Sequence, residues 1–177
     1  MELTMKIRAN FLFMAGCALM FVILLPGCAT KTAAAAKLNL EERQLSEFVH
    51  ILEENRNGVL ANRDGEQLRT QIITFSFAEG NRVYFCTTGD KPMYTQLLEF
   101  PNVSFCTFPA DYEPVLSLNG KVIFIEDRAL MERALETNYY AKRNFKDIDN
   151  PLLRVFCIDV EIIETYSSAG TRLYSAK

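Results

Sequence analysis

The sequence predicts a mainly β (α+β) domain, a small six-stranded antiparallel barrel with flanking helices. Three observations carry this. Six stretches rich in β-branched and aromatic residues follow one another between Val59 and Tyr166. Hairpin punctuation such as Asp64-Gly65 and Glu79-Gly80-Asn81 separates several of them. Helical segments fall before the first strand and in two of the later connections.

Taken in order, Asn39 is placed to cap a first helix, with Glu42 three residues on as its capping-box partner. Leu45, Phe48, Val49 and Leu52 give that helix one apolar stripe, and Gly58 is expected to end it. Val59-Leu60-Ala61 reads as a short strand and Gln67 to Phe77 as a long one. Arg82 to Cys86 is a buried strand whose pattern breaks at Thr87-Thr88-Gly89-Asp90. Pro92 suits the first position of the next helix, where a missing N–H costs nothing. Met93, Leu97 and Leu98 give this helix an apolar side, and Phe100-Pro101-Asn102 ends it. Val103 to Phe108 returns as a strand. Val115 to Ile125 is the longest β stretch, with Gly120 marking a bulge or a close approach. Glu126-Asp127 opens a helix, Tyr139 to Asp149 forms a helix and loop, and Leu153 to Tyr166 is the last strand. The tail from Ser167 has no strong pattern.

The N-terminus has a different character. Lys6 and Arg8 precede an almost unbroken apolar run from Phe11 to Leu25, the length of a signal-peptide core and short for a membrane span. Leu25-Pro26-Gly27-Cys28 resembles the site at which bacterial lipoproteins are cleaved and acylated on cysteine. An uncleaved anchor helix is the alternative. The expected organisation is a signal peptide over 1–27, a tether over 28–38 and one domain over 39–177, held at a membrane surface outside the cytoplasm through Cys28. Ala29 directs the lipoprotein to an outer membrane where the cell has one.

The full chain carries a net charge of −3, and loss of Lys6, Arg8 and Glu2 with the signal leaves −4. A mildly acidic domain is a poor fit to nucleic acid. Cys86, Cys106 and Cys157 lie in apolar strand-like runs; their odd number makes no closed disulfide set, and their spacing is not that of a zinc site. His50 is the sole histidine, so no multi-histidine metal site is expected. No dinucleotide-binding or Walker glycine loop and no nucleophile elbow is present. The loop after the third strand offers two hydroxyls, backbone N–H groups at a helix start and the cation of Lys91. That set can cradle a phosphate; it also describes an ordinary polar connection.

The order of these parts resembles the pyridoxamine 5′-phosphate oxidase-like family, whose fold is the FMN-binding split barrel. The resemblance runs from about Leu45 to Gly170. It rests on NGVLANRDGEQLRTQIITFSF, VYFCTTGDKPMYTQLLEFPNVSFCTF, LSLNGKVIFIED and DNPLLRVFCIDVEIIETYSSAG, whose order and spacing are more specific than any one of them. The resemblance implies a homodimer with FMN at the subunit interface. It places Arg69 and Lys91 at the cofactor phosphate, with Thr87 and Thr88 supplying further donors. Gln71 stands where the family commonly has a second arginine. Ile72, Ile73 and Thr74 match the backbone segment along the flavin ring, and Ser117 falls where the partner subunit approaches it.

The implied function is an FMN-dependent oxidoreductase with an unassigned small-molecule partner. True pyridoxamine 5′-phosphate oxidases carry a C-terminal Arg-x-His pattern, and this chain has no histidine after His50, so vitamin B6 oxidation is not expected. The alternatives are a non-catalytic flavin electron-transfer protein and a heme- or ligand-binding module on the same barrel.

Overall fold

The structure, a computed structural model, describes residues 42–175. Cys28, the signal and tether segments and the Asn39 cap lie outside the described residues. Helix α1 (Glu42–Glu54) precedes strands β1 (Asn57–Asp64), β2 (Gln67–Glu79) and β3 (Arg82–Thr88). Helix α2 (Pro92–Glu99) leads to β4 (Asn102–Thr107) and β5 (Val115–Ile125). Helices α3 (Arg128–Thr137) and α4 (Tyr139–Phe145) then connect to β6 (Leu153–Ser167) and β7 (Gly170–Ser175). Among the described residues no helix is long and apolar enough to cross a membrane.

The strands lie in the order β3-β2-β1-β4-β5-β6-β7, and β3 also pairs with β6. That pairing closes β1–β6 into the expected six-stranded antiparallel barrel. Its core is rich in aromatic rings: Phe85 lies 5.0 Å from Phe105 and 5.4 Å from Phe156, centroid to centroid, and all three are fully buried. Offset and tilted ring pairs at these separations are favourable beyond the area they bury. Helix α1 covers one end through Phe48, Ile51 and Leu52.

The local signals act as their chemistry dictates. Gly65 and Gly80 sit at positive φ of 61° and 58° in two-residue hairpin loops, a backbone region that glycine enters without a Cβ clash. Pro92 begins α2. The carboxylate of Asp127 caps α3 by accepting from the Leu130 N–H at 3.0 Å. At Gly120 the β5–β6 register shifts, and a Cβ there would stand 2.2 Å from the Asp159 carbonyl oxygen. The glycine is therefore both bulge and close approach.

Three expectations are corrected. Gly58 does not end α1: the helix stops at Glu54, and Gly58 is a buried residue of β1 where a Cβ would meet the Phe105 ring at 2.4 Å. Thr87 and Thr88 belong to β3, because their backbones pair with Arg154 and Leu153 of β6. The tail forms β7, which pairs along the distal half of β6 from Ile162↔Ser175 to Ser167↔Gly170. It adds a seventh strand beside the barrel without altering the closure.

Candidate functional site

A cleft of about 510 Å³ opens beside the barrel, within the range of small-molecule sites. One wall is the β2 segment Gln71–Thr74, and the floor is the end of β3, Cys86–Thr88. Asp90 to Met93, where the loop enters α2, closes one end. The opposite wall comes from Asn138, Tyr140, Ala141, Asn144 and Phe145 of α4 and its cap. A second depression of about 380 Å³ shares Gln71, Lys91, Pro92 and Met93 and adds Asp64, Arg69, Thr70 and Gln96. The two hollows thus meet at Gln71 and Lys91.

Two buried amides hold the β2 wall. Asn62, 2 % exposed, accepts from Gln71 Nε2 at 3.1 Å and donates to Gln96 Oε1 at 2.9 Å, tying β2, β1 and α2 together. Asn138, also buried, donates through Nδ2 to the Thr74 carbonyl at 3.0 Å and to Ser76 Oγ at 3.2 Å. Its Oδ1 accepts from the Ala141 N–H at 3.0 Å, so the same side chain caps α4. Ser76 lies at the β2–β3 register shift between Phe75 and Phe77. Asn138 therefore fixes a β-bulge and a helix start at once.

The hydroxyl of Thr87 stands apart. It is buried, it lines the cleft, and it alone among the buried side-chain polar atoms described has no hydrogen-bond partner. Leaving such a group unpaired costs about 1–3 kcal/mol, which a donor or acceptor on a ligand would remove. The charges lie at the mouth. Arg69 Nε is 3.1 Å from Asp64 Oδ2, with both side chains about half exposed. Thr88 Oγ1 donates to Asp90. Lys91 is exposed and takes part in none of the ion pairs among the described residues.

The fold thus brings Arg69, Gln71, Ile72, Ile73, Thr74, Thr87, Thr88 and Lys91 to the two adjoining hollows. Ser117 is elsewhere: it lies on β5 between Cys106 of β4 and Glu164 of β6, facing away from the core. His50 is on the surface of α1, 3.3 Å from Glu54, and lines neither hollow. Among the described residues no group of three or more His, Cys, Asp or Glu is placed to hold a metal. Asn138, Tyr140 and Asn144 were not singled out in the sequence. The one local signal was an asparagine able to cap a helix at the junction before α4.

Sequence comparison finds no matching family model and no matching curated protein. Solved structures do match. A NimC/NimA family protein from Clostridium acetobutylicum superposes with a TM-score of 0.65 at 20% identity, covering 75% of this chain and 93% of that one. A pyridoxamine 5′-phosphate oxidase-related, FMN binding protein from Nostoc punctiforme gives 0.59 at 14% identity, over 77% and 92% of the two chains. A heme binding protein from Mycobacterium smegmatis gives 0.61 at 17% identity, over 71% of this chain and 55% of that one.

The three cysteines are free. Cys86 lies on the cleft floor with Ser76 Oγ 3.8 Å away, and burial pushes its thiol up to about 11. It is neutral through the physiological range and a poor nucleophile. Alkylation by iodoacetamide at pH 7.5, followed by mass spectrometry, should leave Cys86 unmodified in the folded chain and modify it in urea. Rapid labelling of the folded protein would contradict this. The raised thiol pKa also predicts that its contribution to stability is complete below pH 9 and is lost as pH rises towards 11.

The closed six-stranded sheet, the helices set into its connections and the structural matches together give the chain the fold of the pyridoxamine 5′-phosphate oxidase-like split barrels.

Proposed function

We propose that the protein is an FMN-binding flavoprotein acting as an oxidoreductase on a small-molecule partner at a membrane surface. One observation carries this reading: the buried, unpartnered Thr87 hydroxyl lines a ligand-sized cleft that meets Lys91 and Arg69 in the adjoining hollow. A flavin phosphate is a dianion and is met by charge-assisted donors of this kind. The β2 backbone at Ile72–Thr74 offers a flat wall for a large ring. When bound, the isoalloxazine ring supplies the electron chemistry; the chain's residues bind it, orient it and exclude water. The Mycobacterium smegmatis match raises heme as a second reading, but His50 lies outside both hollows. We do not propose pyridoxamine phosphate as the substrate.

The site is proposed to be completed by a second copy of the chain. A cross-strand row runs over the outer sheet face through Ile72, Val59, Cys106, Ser117, Glu164 and Leu173. Glu164 is its one charged member, and Ile72 and Leu173 are 80% and 66% exposed. An apolar, charge-poor face beginning at the cleft suits a homodimer that brings Ser117 of one protomer to the flavin of the other. The anchor is proposed to be acylated Cys28, supported by the basic start, the apolar run and the Leu25–Cys28 motif. Several acyl chains, rather than one, make such attachment stable.

Fluorescence-quenching titration tests the phosphate site. Lys91→Ala should weaken FMN about ten- to a hundredfold, the loss of one charge-assisted hydrogen bond, and leave riboflavin nearly unchanged. Lys121→Ala is the control, since Lys121 pairs with Glu161 of β6 at 3.4 Å and lines neither hollow. Equal weakening of both flavins, or equal effects of the two lysines, would refute the assignment. Sedimentation of the detergent-solubilised chain with FMN should give a dimer at micromolar concentration and a monomer for Ser117→Arg; a monomeric wild type refutes the second copy. Cys28→Ser should release the protein from membranes or leave the signal attached, and unchanged mass with unchanged fractionation would refute the anchor.

A further inference from the structure

Apart from Ser117 of the second copy, the residues assigned to the cofactor lie on β2, on β3 and at the start of α2. The α4 wall is not used by that assignment, yet it is built with care. Tyr140 and Asn144 are four residues apart and both line the cleft, as do Ala141 and Phe145 one position on. The helix is fixed at its start by Asn138, along its length by buried Ala141, and at its end by Asn150 Nδ2, which donates to the Phe145 carbonyl at 3.1 Å. The Tyr140 ring meets the Tyr139 ring edge-on, 5.6 Å away at 74°, and the Arg143 guanidinium lies 5.7 Å from the Tyr140 ring and 5.8 Å from that of Tyr139.

Their polar ends are uncommitted. Both side chains are exposed at the cleft, Tyr140 at 48%, and among the described residues neither the Tyr140 hydroxyl nor the Asn144 carboxamide makes a hydrogen bond to the protein, so a ligand there would take the place of water. An anchored aromatic ring, a phenol and a carboxamide facing one cleft suit a flat ligand with polar edges. The amide donates and accepts, and the phenol does both.

We propose that α4 is the specificity wall for the second ligand, and that this ligand is a planar carbonyl-bearing ring of the quinone type, stacked beside Tyr140 and hydrogen-bonded by Asn144. The inference rests on the flavin reading, which supplies the opposite face of the cleft. Duroquinone is the probe, because its fully substituted ring does not take up protein thiols readily. Its binding to the FMN-loaded full chain is measured by equilibrium dialysis, beside FMN affinity by fluorescence and thermal melting as a check on folding. Asn144→Ala and Tyr140→Leu should each weaken duroquinone about tenfold, the scale of one lost hydrogen bond or one lost ring contact, with FMN affinity unchanged within about twofold. Tyr140→Phe keeps the ring and should lose less than Tyr140→Leu. Parallel losses of FMN would make α4 a cofactor wall and overturn the proposal, as would unchanged duroquinone binding in the folded variants. A wild-type chain that binds no FMN would overturn the cofactor reading itself, and this inference with it.

Discussion

The barrel exists because β6 is shared. Its proximal half, Leu153 to Asp159, pairs with β3 on one edge and β5 on the other, while its distal half pairs with β5 and β7. Without β3–β6 pairing the sheet would be open, with unpaired N–H and C=O groups along two long strands. Sharing one strand among three neighbours requires β5 to change course midway, and Gly120 permits it by lying against the Asp159 backbone with no Cβ between. The three-ring cluster of Phe85, Phe105 and Phe156 draws one residue from each of β3, β4 and β6. Closure and core are thus one event.

The cleft inherits its geometry from that closure. The Gln71–Thr74 segment is held at one end by Asn62 and at the other by Asn138, two buried amides whose hydrogen bonds reach other elements. Buried amides are tolerated when satisfied and rigidify what they join. Against this background of satisfied polar groups the bare Thr87 hydroxyl is informative. The mouth is electrically balanced rather than strongly basic, since Asp64 and Asp90 sit beside Arg69 and Lys91. Gln71 adds no charge and joins the Asn62 network.

Much of the architecture was legible because its signals are local. Asp64-Gly65, Pro92 and Asp127 act through their own backbone chemistry, and the structure uses each one as read. Gly120 could be marked as a bulge because a glycine inside an apolar strand has few other uses. The misreadings share a non-local cause. Gly58 looked like a helix stop, but its role is set by Phe105, far along the chain. Thr87 and Thr88 look like loop residues until β6 pairs with them, and Gly170 to Ser175 has no strand signature until β6 offers it an edge. The Arg69 and Lys91 end of the cleft was singled out through the family resemblance. Its far wall was not, because Tyr140 and Asn144 reach the cleft only when α4 folds back over β2, a relation no short window contains.

The placement of α3 and α4 between β5 and β6 has an evolutionary corollary. The whole second wall of the cleft is delivered by one excursion of the chain, from Glu126 to Leu152, which begins and ends on adjacent paired strands. It is tied to the barrel by a second hydrophobic cluster, in which Ala134, Leu135 and Ala141 pack on Phe77, Tyr84, Leu153 and Val155, by the Asn138 bonds to Thr74 and Ser76, and by the Arg133 clamp on Glu79 and Phe77. Provided those contacts are kept, such an excursion can be lengthened, shortened or rewritten in descendants while the β2–β3 side keeps its register. One scaffold could then diversify its chemistry by exchanging a single cassette.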